Sequence, residues 1–267
     1  MLFRRLKLRK LQKWENYLPF VENMSKDSFM PLSVGATDSQ LQTTPDKLFA
    51  YLPLHKTLCK KYDLRRLAGE GGDFEKTVCL MQWLTDNTFY NGASSKWKSD
   101  NSAEILEYAF GKDFSHAINC REKAIVFADC LLAAGIYAYP VCMISEQNKG
   151  CHFTVQVYLR EQNRWALFDP SFNCWFSENG RLLNVWELRD LFLAGKEPEI
   201  QNYSFNRTDR CKDIYKEGFI KQNLTNITTW QDNSMERRGY KANDWNSKKA
   251  FKTKLPEIER IESVITI

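Results

Sequence analysis

Cys120 is the residue of this sequence best placed to act as a nucleophile. It follows Asn119, and Glu122 stands three residues after that asparagine, a spacing typical of a capping box at a helix N-terminus. The unpaired N–H groups and the dipole at a helix N-terminus stabilise negative charge. The thiolate is the nucleophilic form of cysteine, so this position favours reactivity at Cys120.

A histidine and an aspartate follow Cys120 at positions suited to support it. His152 begins a segment of alternating polar and apolar residues, and Asp169 ends the next apolar run, so both are expected at the rim of a sheet. Thiol chemistry needs a base near the nucleophile and a third group that orients the base. Taken singly, the three residues also suit ordinary roles as a core cysteine, a polar strand end and a turn before Pro170.

The hairpin that joins His152 to Asp169 has two candidate registers. A turn at Arg160-Glu161 sets the two residues opposite each other. A turn at Gln162-Asn163 instead sets Asp169 opposite Gln156, about 13 Å along the strand from His152. Both registers keep His152 and Asp169 on one face. We expect the earlier turn.

The element that carries Cys120 is predicted to be a central, buried helix. Apolar residues crowd both of its sides, and Gly135 ends it. A β-run follows over Ile136–Ile144, and a second strand alternates strictly over His152–Leu159. The apolar face of that second strand is the one without His152. The sequence therefore leaves open which sheet face meets the Cys120 helix.

Other segments carry helix and strand signals. Asp73 is predicted to be the N-cap of a strong helix that contains Trp83, and Leu182–Leu193 is predicted to be a helix that stops at Gly195. Asn223–Trp230 is a candidate strand. We expect Trp83 to pack in the core rather than to act near Cys120.

Three blocks of this sequence resemble the transglutaminase-like superfamily. They occur in the family's order and are strongest over residues 119–171, with a looser likeness over about 47–195. The blocks are Asn119-Cys120-Arg121-Glu122-Lys123-Ala124 with Leu131–Ile136, His152–Tyr158, and Trp165–Ser171. Many members place a glycine before the cysteine, where this chain has Asn119.

The resemblance implies a fold and a set of roles. The expected fold is α+β, with a papain-like, transglutaminase-like core in which the nucleophile-bearing helix packs on an antiparallel sheet. Cys120 would be the nucleophile, His152 the base and acid, and Asp169 the orienting carboxylate. The implied function is thiol-dependent acyl transfer on amide bonds of peptides or proteins, with hydrolysis favoured over transamidation. The alternative is a non-catalytic peptide- or protein-binding module that retains the fold.

Composition and cysteine spacing exclude several classes. Of 267 residues, 43% are hydrophobic and 13% aromatic, which excludes a disordered chain. The eight cysteines contain no C-x-x-C pair, so we predict neither a structural zinc site nor any other metal or cofactor. We expect reduced thiols in a cytoplasmic protein. Ala124–Ile144 is long and apolar, but Gly135 and Pro140 interrupt it, so we predict no transmembrane segment.

The net charge of +5 comes from one end of the chain. Residues 1–13 carry six basic side chains and no acidic one. Residues 1–14 could make a weak contact with an anionic surface, or form a helix with a solvated charged face. We predict three parts: a basic N-terminal arm and irregular segment over 1–45, a transglutaminase-like core over 46–200 that takes a peptide or protein substrate, and a polar C-terminal extension over 201–267.

Overall fold

The structure is a computed structural model that describes residues 53–94, 101–145, 151–224 and 226–229. The predicted arm and irregular segment over 1–45 lie outside these ranges, as do residues 230–267 of the predicted extension. The described part combines helices with one antiparallel sheet, which confirms the predicted α+β class.

Among the described residues, five helices precede the sheet in the chain and three lie between its later strands. Their bounds are α1 Pro53–Tyr62, α2 Leu64–Ala68, α3 Asp73–Asn87, α4 Ser102–Ala109, α5 Cys120–Ala133, α6 Val185–Leu193, α7 Lys212–Ile214 and α8 Ile220–Asn223. Short 3-10 turns cover Phe114–His116 and Arg160–Gln162, and a π-helical turn covers Tyr215–Phe219.

Seven strands form the sheet. They are β1 Ala138–Ile144, β2 Cys151–Leu159, β3 Arg164–Asp169, β4 Cys174–Glu178, β5 Arg181–Leu182, β6 Glu199–Gln201 and β7 Asn226–Thr229. The order across the sheet is β5-β4-β3-β2-β1-β7, and β6 also pairs with β4. The strand predicted within Asn223–Trp230 is thus confirmed as β7, which pairs with β1.

Helix α5 is the central element, as predicted. Every residue from Arg121 to Ala133 is buried, because α1, α3 and α4 cover one side of the helix and strands β1 and β2 cover the other. Its one acidic residue beyond the first turn, Asp129, accepts hydrogen bonds from His55 Nε2 at 3.1 Å and from Ser102 Oγ. These partners satisfy a carboxylate that would otherwise be costly to bury.

The two faces of the sheet pack against different partners. Phe153, Val155 and Val157 on β2 pack with α5 and the other early helices. The opposite face carries Tyr139 and Val141 and packs with α6 and with residues that follow it in the chain. The apolar face of β2 is therefore the one that meets the Cys120 helix, and His152 belongs to the other side.

The predicted register of the β2–β3 hairpin is wrong. Gln156 pairs with Leu167 and Leu159 pairs with Arg164, and the same register sets Asp169 opposite Thr154. The connection is a 3-10 turn that ends at Asn163, whose φ of 49° lies in the left-handed region that asparagine tolerates. Neither predicted turn forms, but His152 and Asp169 still share a face.

Asp73 is not the N-cap of α3. Gly72 holds that position, and the Asp73 carboxylate instead accepts hydrogen bonds from Arg160 Nε at 2.6 Å and Nη2 at 2.5 Å. The Glu161 carboxylate accepts from the N–H groups of Asp73 and Phe74, at 3.1 and 2.9 Å. Residues of the hairpin turn therefore cap the N-terminus of α3. The sequence around α3 does not predict this cap, because the turn lies far along the chain.

The predicted helix over Leu182–Leu193 begins later than expected. Leu182 belongs to β5, and α6 starts at Val185 with Asn184 as its N-cap. Leu182 and Leu183 continue the apolar pattern of the helix in the sequence. In the structure, both side chains instead pack in the core on either side of the sheet.

Ala124–Ile144 is a helix followed by a strand, as predicted. Gly135 separates them with a φ of 85°, a conformation that glycine adopts at little cost. Among the described residues, no helix has both the length and the hydropathy needed to cross a bilayer.

Candidate active site

Cys120 is the first residue of α5, directly after its capped N-terminus. The Asn119 side chain accepts the Glu122 N–H at 3.1 Å, and the Glu122 carboxylate accepts the Asn119 N–H at 2.8 Å. The predicted capping box is therefore confirmed. The Asn119 amide also donates to the Ser94 carbonyl at 3.1 Å, which connects the start of α5 to the segment that follows α3.

His152 and Asp169 are in direct contact. The Nε2 of His152 donates to Oδ2 of Asp169 at 2.6 Å, and both side chains are 0% exposed. The contact crosses the hairpin diagonally, because the register sets Asp169 opposite Thr154 rather than opposite His152. A charged hydrogen bond of this length in a buried setting holds the imidazole in one orientation.

The Asp169 carboxylate has further donors. Its Oδ1 accepts the backbone N–H of Ser171 at 2.8 Å and of Phe172 at 3.4 Å, from the turn that follows β3. Its Oδ2 also accepts the hydroxyl of Tyr215 at 2.8 Å. With His152, the described residues donate four hydrogen bonds to this carboxylate, which offset the cost of burying it.

Cys120 lies where the two sides of the core meet. It packs partly against the cluster around α5 and partly against the cluster on the opposite sheet face. A residue at the very start of the helix can therefore approach His152, although the body of α5 covers the other face of β2. No described residue completes a hydrogen bond with Nδ1 of His152. The Cys120 thiol is nonetheless close enough to raise the pKa of the imidazole.

The surroundings keep His152 protonated. Burial alone lowers the pKa of His152, but the charge and hydrogen bond of Asp169, together with Cys120, raise the pKa to about 10. An imidazolium beside Cys120 can pair with a thiolate and can later donate a proton. Two aromatic rings enclose the imidazole edge to face, with centroids 4.9 Å away for Phe219 and 5.7 Å away for Phe172.

Lys123 lies one helical turn beyond Cys120 and is 1% exposed. Its Nζ donates to the Thr88 carbonyl at 3.4 Å. Burial, followed by the charge of Arg207, lowers the pKa of Lys123 to about 7, while Asp169 partly opposes the shift. The sequence did not single out this lysine, since a lysine in the first turns of a helix is usually solvated.

Cys151 is a second thiol close to the site. It is exposed, and it lies on the same face of β2 as Phe153, diagonally across from Cys142. A hydrogen bond with Cys142, together with the nearby charges of His152 and Arg121, lowers the pKa of Cys151 to about 7 against the effect of burial. Cys151 is thus the thiol most able to compete with Cys120 for an electrophile.

Three other cysteines are buried and suit a structural role. Burial raises the pKa of the Cys130, Cys142 and Cys174 thiols, which makes them poor nucleophiles. All eight cysteines of the sequence lie in the described ranges, and none of them forms a disulfide bond. Within those ranges, no group of three or more His, Cys, Asp or Glu side chains could hold a metal ion.

Trp83 packs in the core, as predicted. Its ring lies 5.6 Å from Tyr62 and 5.3 Å from Phe110, measured between centroids. These partners belong to the helical side of the molecule.

Tyr215 and Phe219 are site residues that the sequence analysis missed. They lie 46 and 50 residues after Asp169, in a polar segment without helical or strand periodicity. The only local signal is their aromatic character within that polar segment.

The chain was compared with family models, with curated proteins and with solved structures. The model described as "Transglutaminase-like superfamily" matches residues 61–170. None of the curated proteins compared with the chain matches it significantly. The chain is also similar to several solved structures, at low sequence identity and low structural overlap.

Three of these structures illustrate the likeness. A candidate protease from Parabacteroides distasonis ATCC 8503 has 15% identity and a TM-score of 0.30, over 43% of this chain and 25% of that one. A TGase has 18% identity and a TM-score of 0.27, over 44% and 30%. A candidate cysteine protease from Cytophaga hutchinsonii has 13% identity and a TM-score of 0.32, over 80% and 53%.

The chain thus spans between 25% and 53% of the length of these structures. The matched segment 61–170 contains Cys120, His152 and Asp169, and it ends one residue after the aspartate. The resemblance inferred from the sequence blocks is thus confirmed for residues 61–170, the segment that the family model matches.

Proposed function

We propose that this protein is a thiol-dependent acyl-transfer enzyme that acts on amide bonds of peptides or proteins. Cys120 is the nucleophile, His152 the base and acid, and Asp169 the carboxylate that orients His152. The observation that carries the proposal is the buried 2.6 Å contact between His152 and Asp169, beside a cysteine at a capped helix N-terminus.

The first half-reaction forms a thioester. The Cys120 sulfur attacks the amide carbonyl carbon, and the negative charge that develops on the carbonyl oxygen is stabilised by N–H groups at the start of α5. The C–N bond then breaks, and the His152 imidazolium gives its proton to the leaving amine. The acyl group stays on Cys120, and His152 is left neutral.

The second half-reaction returns the enzyme to its starting state. Water, or an amine, loses a proton to His152 and attacks the thioester carbonyl, and the C–S bond breaks to release an acid or a new amide. We favour hydrolysis, because water is always present as an acceptor. Eight cysteines without a disulfide bond also suit a reducing compartment such as the cytoplasm.

The proposal assigns the catalytic unit to residues 46–200, with the segment beyond residue 200 as an extension. Part of that extension contributes contacts to the site, since Tyr215 donates to Asp169. The substrate is a peptide or protein segment that reaches the half-buried Cys120.

Alkylation by iodoacetamide at about pH 5.5 tests the nucleophile. At that pH a thiol with a pKa of about 7, such as Cys151, is almost wholly protonated. His152 stays charged at that pH, because its pKa is about 10, so a cation remains beside Cys120 and we expect Cys120 to be the thiol that reacts. We expect Cys151→Ser to keep the wild-type rate and Cys120→Ser to abolish rapid labelling, as located by peptide mass spectrometry.

Acylation by p-nitrophenyl acetate tests the chemistry. The expected result is a burst of p-nitrophenolate and an acetylated Cys120, followed by slow deacetylation, and loss of the burst in His152→Gln. A peptide library then tests amide cleavage. Selective labelling of Cys120 without acylation or cleavage would contradict the enzymatic proposal and support the non-catalytic binding module, whereas rapid labelling of another cysteine would remove Cys120 as the nucleophile.

A further inference from the structure

A segment of chain beyond the family-matched region returns to the candidate site. After α7, the backbone makes a π-helical turn over Tyr215–Phe219, continues as α8, and adds β7 to the edge of the sheet beside β1. Single π-helical turns are rare and occur frequently at functional sites. This segment lies wholly outside residues 61–170.

The π-helical turn places a hydroxyl on the Asp169 carboxylate. Tyr215 is 0% exposed, and its hydroxyl donates to Oδ2 of Asp169 at 2.8 Å, the same oxygen that accepts His152 Nε2. The Cys174 thiol donates in turn to the Tyr215 hydroxyl at 3.4 Å. Each end of the carboxylate is therefore held: Oδ1 by two backbone N–H groups, and Oδ2 by Tyr215 and His152.

The same turn places an aromatic ring against the imidazole. The centroid of Phe219 lies 4.9 Å from that of His152, with the ring planes at 71°. Phe172 contacts the imidazole at 5.7 Å, and its own ring packs on Tyr215 at 4.3 Å. The carboxylate and the imidazole are thus held by side chains from one short turn, four residues apart.

We infer that Tyr215 is a positioning residue of the site: its hydroxyl fixes the rotation of the Asp169 carboxylate, and through it the orientation of the His152 imidazole, while Phe219 holds the plane of the ring. This inference rests on the proposed function, since it assigns Tyr215 a part in the same Cys120 chemistry. The segment that follows the family-matched region then helps to hold the catalytic side chains in place.

Geometry explains why one hydroxyl matters. Without Tyr215, Oδ2 of Asp169 would keep only its bond to His152, while Oδ1 would stay bound to the Ser171 and Phe172 N–H groups. The imidazole and the oxygen that it contacts would then be less restrained in their orientation toward Cys120. Productive acid–base chemistry requires orientation within a narrow range, and a hydrogen bond to a charged group is among the stronger ones. The loss should therefore appear in the rate of the chemical step and not in the affinity for the acyl donor.

Other titratable groups near the pair must stay constant in the test. Those that interact electrostatically with His152 or Asp169 are Tyr90, Cys120, Lys123, Cys151, Cys174 and Tyr203. Lys123 and Cys151 have pKa values of about 7, so they titrate in the working range. Making every variant in a Cys151→Ser background removes the titration of Cys151. The titration of Lys123 is common to all variants, so it does not affect the comparison between them.

The experiment compares Tyr215→Phe with Tyr203→Phe in the full chain. Tyr203 belongs to the same aromatic cluster, with its ring 5.3 Å from Tyr215, but its hydroxyl donates to the Arg210 carbonyl and not to Asp169. The probes are iodoacetamide alkylation of Cys120 from about pH 5 to 9 and the saturation kinetics of acylation by p-nitrophenyl acetate.

We expect Tyr215→Phe to lower the maximal acylation rate by roughly tenfold with little change in half-saturation. We also expect it to slow alkylation of Cys120 at the acid end of the profile, where reactivity depends on the oriented imidazolium. Tyr203→Phe should match the wild type in both measurements. A purely structural Tyr215 predicts instead a lower melting temperature with unchanged rates and an unchanged profile, and that result would overturn the inference.

A second variant keeps the inference testable if Tyr215→Phe does not fold. Phe219→Leu retains apolar volume but removes the ring that contacts His152, and it should lower the acylation rate with the same unchanged half-saturation. Equal rates in Phe219→Leu and wild type would contradict the role given to the turn. Failure of the proposed function looks different: Cys120→Ser would then keep wild-type labelling and acylation, whatever the change at Tyr215.

Discussion

At the scale of single residues, one carboxylate decides the charge of the site. Asp169 is buried with His152, and its charge and hydrogen bond outweigh the burial that by itself lowers the pKa of the imidazole. The pair therefore stays charged well above the pH at which an exposed histidine loses its proton. At neutral pH, the charged His152 imidazolium therefore lies beside Cys120.

Asp169→Asn tests this electrostatic role. The amide oxygen still accepts the His152 N–H, but the negative charge is lost, so the pKa of His152 should fall from about 10 to its ordinary value or below. We expect alkylation of Cys120 at neutral pH to slow by roughly tenfold, and Asp169→Ala to slow it further. The measurement is the alkylation rate against pH for wild type and both variants.

The charge of Asp169 should also affect how the stability of the fold depends on pH. Because the folded pKa of His152 lies above its unfolded value of about 6.5, its contribution to the free energy of unfolding is complete below that pH and fades as the pH rises through 10. In Asp169→Asn this decline should be absent, as measured by urea unfolding at about pH 6, 8 and 10. Identical alkylation and stability profiles in wild type and variant would remove Asp169 from the site.

Lys123 should change the free energy of unfolding with pH in the opposite direction. Its folded pKa of about 7 lies below the unfolded value of about 10.4, so the unfolded chain binds the proton first and stability is lost as the pH falls from 10.4 to 7. Lys123→Met should therefore raise the free energy of unfolding at pH 7, by about 1–3 kcal/mol, and the gain should vanish near pH 10. Urea unfolding at both pH values measures it, and a loss of stability at pH 7 would show that the bond to the Thr88 carbonyl outweighs burial.

At the scale of elements, the start of α5 links stability to reactivity. Asn119 caps the helix, and Asn184 caps α6 with the same reciprocal pattern, using Glu187 where Asn119 uses Glu122. The two caps differ in location, because α6 packs on the sheet face remote from α5 and carries no predicted site residue. They form a matched pair for separating a local effect from a general loss of stability.

Asn119→Ala and Asn184→Ala should each lower the free energy of unfolding by about 1 kcal/mol, as the loss of an N-cap usually does. Only Asn119→Ala should also slow alkylation of Cys120, because a frayed first turn no longer holds that thiol in place. Chemical denaturation and alkylation of both variants provide the check. Asn119→Gly, which restores the residue that many family members have, should cost only a few tenths of a kcal/mol. Equal slowing by both alanine variants would mean that reactivity follows global stability alone.

At the scale of the whole molecule, the family-matched segment depends on chain that lies beyond it. Tyr215, Ile220, Leu224 and Ile227 are all buried against the sheet face that carries His152. Each such side chain contributes about 1.5–3 kcal/mol when it is fully buried, a sum comparable to the stability of a typical domain.

Truncation tests that dependence. A chain that ends at residue 230 keeps every described contact and should retain the melting temperature and the Cys120 reactivity of its parent. A chain that ends at residue 200 loses the four buried side chains and the Tyr215 hydroxyl bond, and it should lose both properties. Thermal melting and alkylation of the two truncations measure this. Wild-type behaviour in the shorter chain would show that neither property depends on the residues after 200.

Patterns with a local physical cause were predicted well. The capping box at Asn119 depends on two side chains three residues apart, and the helix–strand division at Gly135 depends on one backbone conformation, so both are readable from a short window. The α+β class was implied by the family resemblance, and the structure confirms it. The side-chain parity of His152 and Asp169 was also correct, because alternation along a strand does not depend on which turn closes the hairpin.

Features that depend on distant contacts were not predicted. The hairpin turn formed neither proposed register, because Arg160 and Glu161 bind the start of α3, 87 and 88 residues earlier in the chain. The prediction of Asp73 as an N-cap was wrong for the same reason, because its carboxylate binds Arg160 instead. No local pattern reports such a pairing, since its energy comes from groups that only the folded chain brings together.

The sequence by itself determined which residues could do chemistry: a cysteine at a capped helix start, and a histidine and an aspartate at strand ends in family order. Only the tertiary structure decided how they meet. It set Cys120 where the two core clusters join, closed the diagonal bond from His152 to Asp169, and brought Tyr215 onto that carboxylate from 46 residues away. Helix caps and strand alternation are short-range effects of backbone geometry, whereas these contacts depend on loop closure and on burial in a shared core.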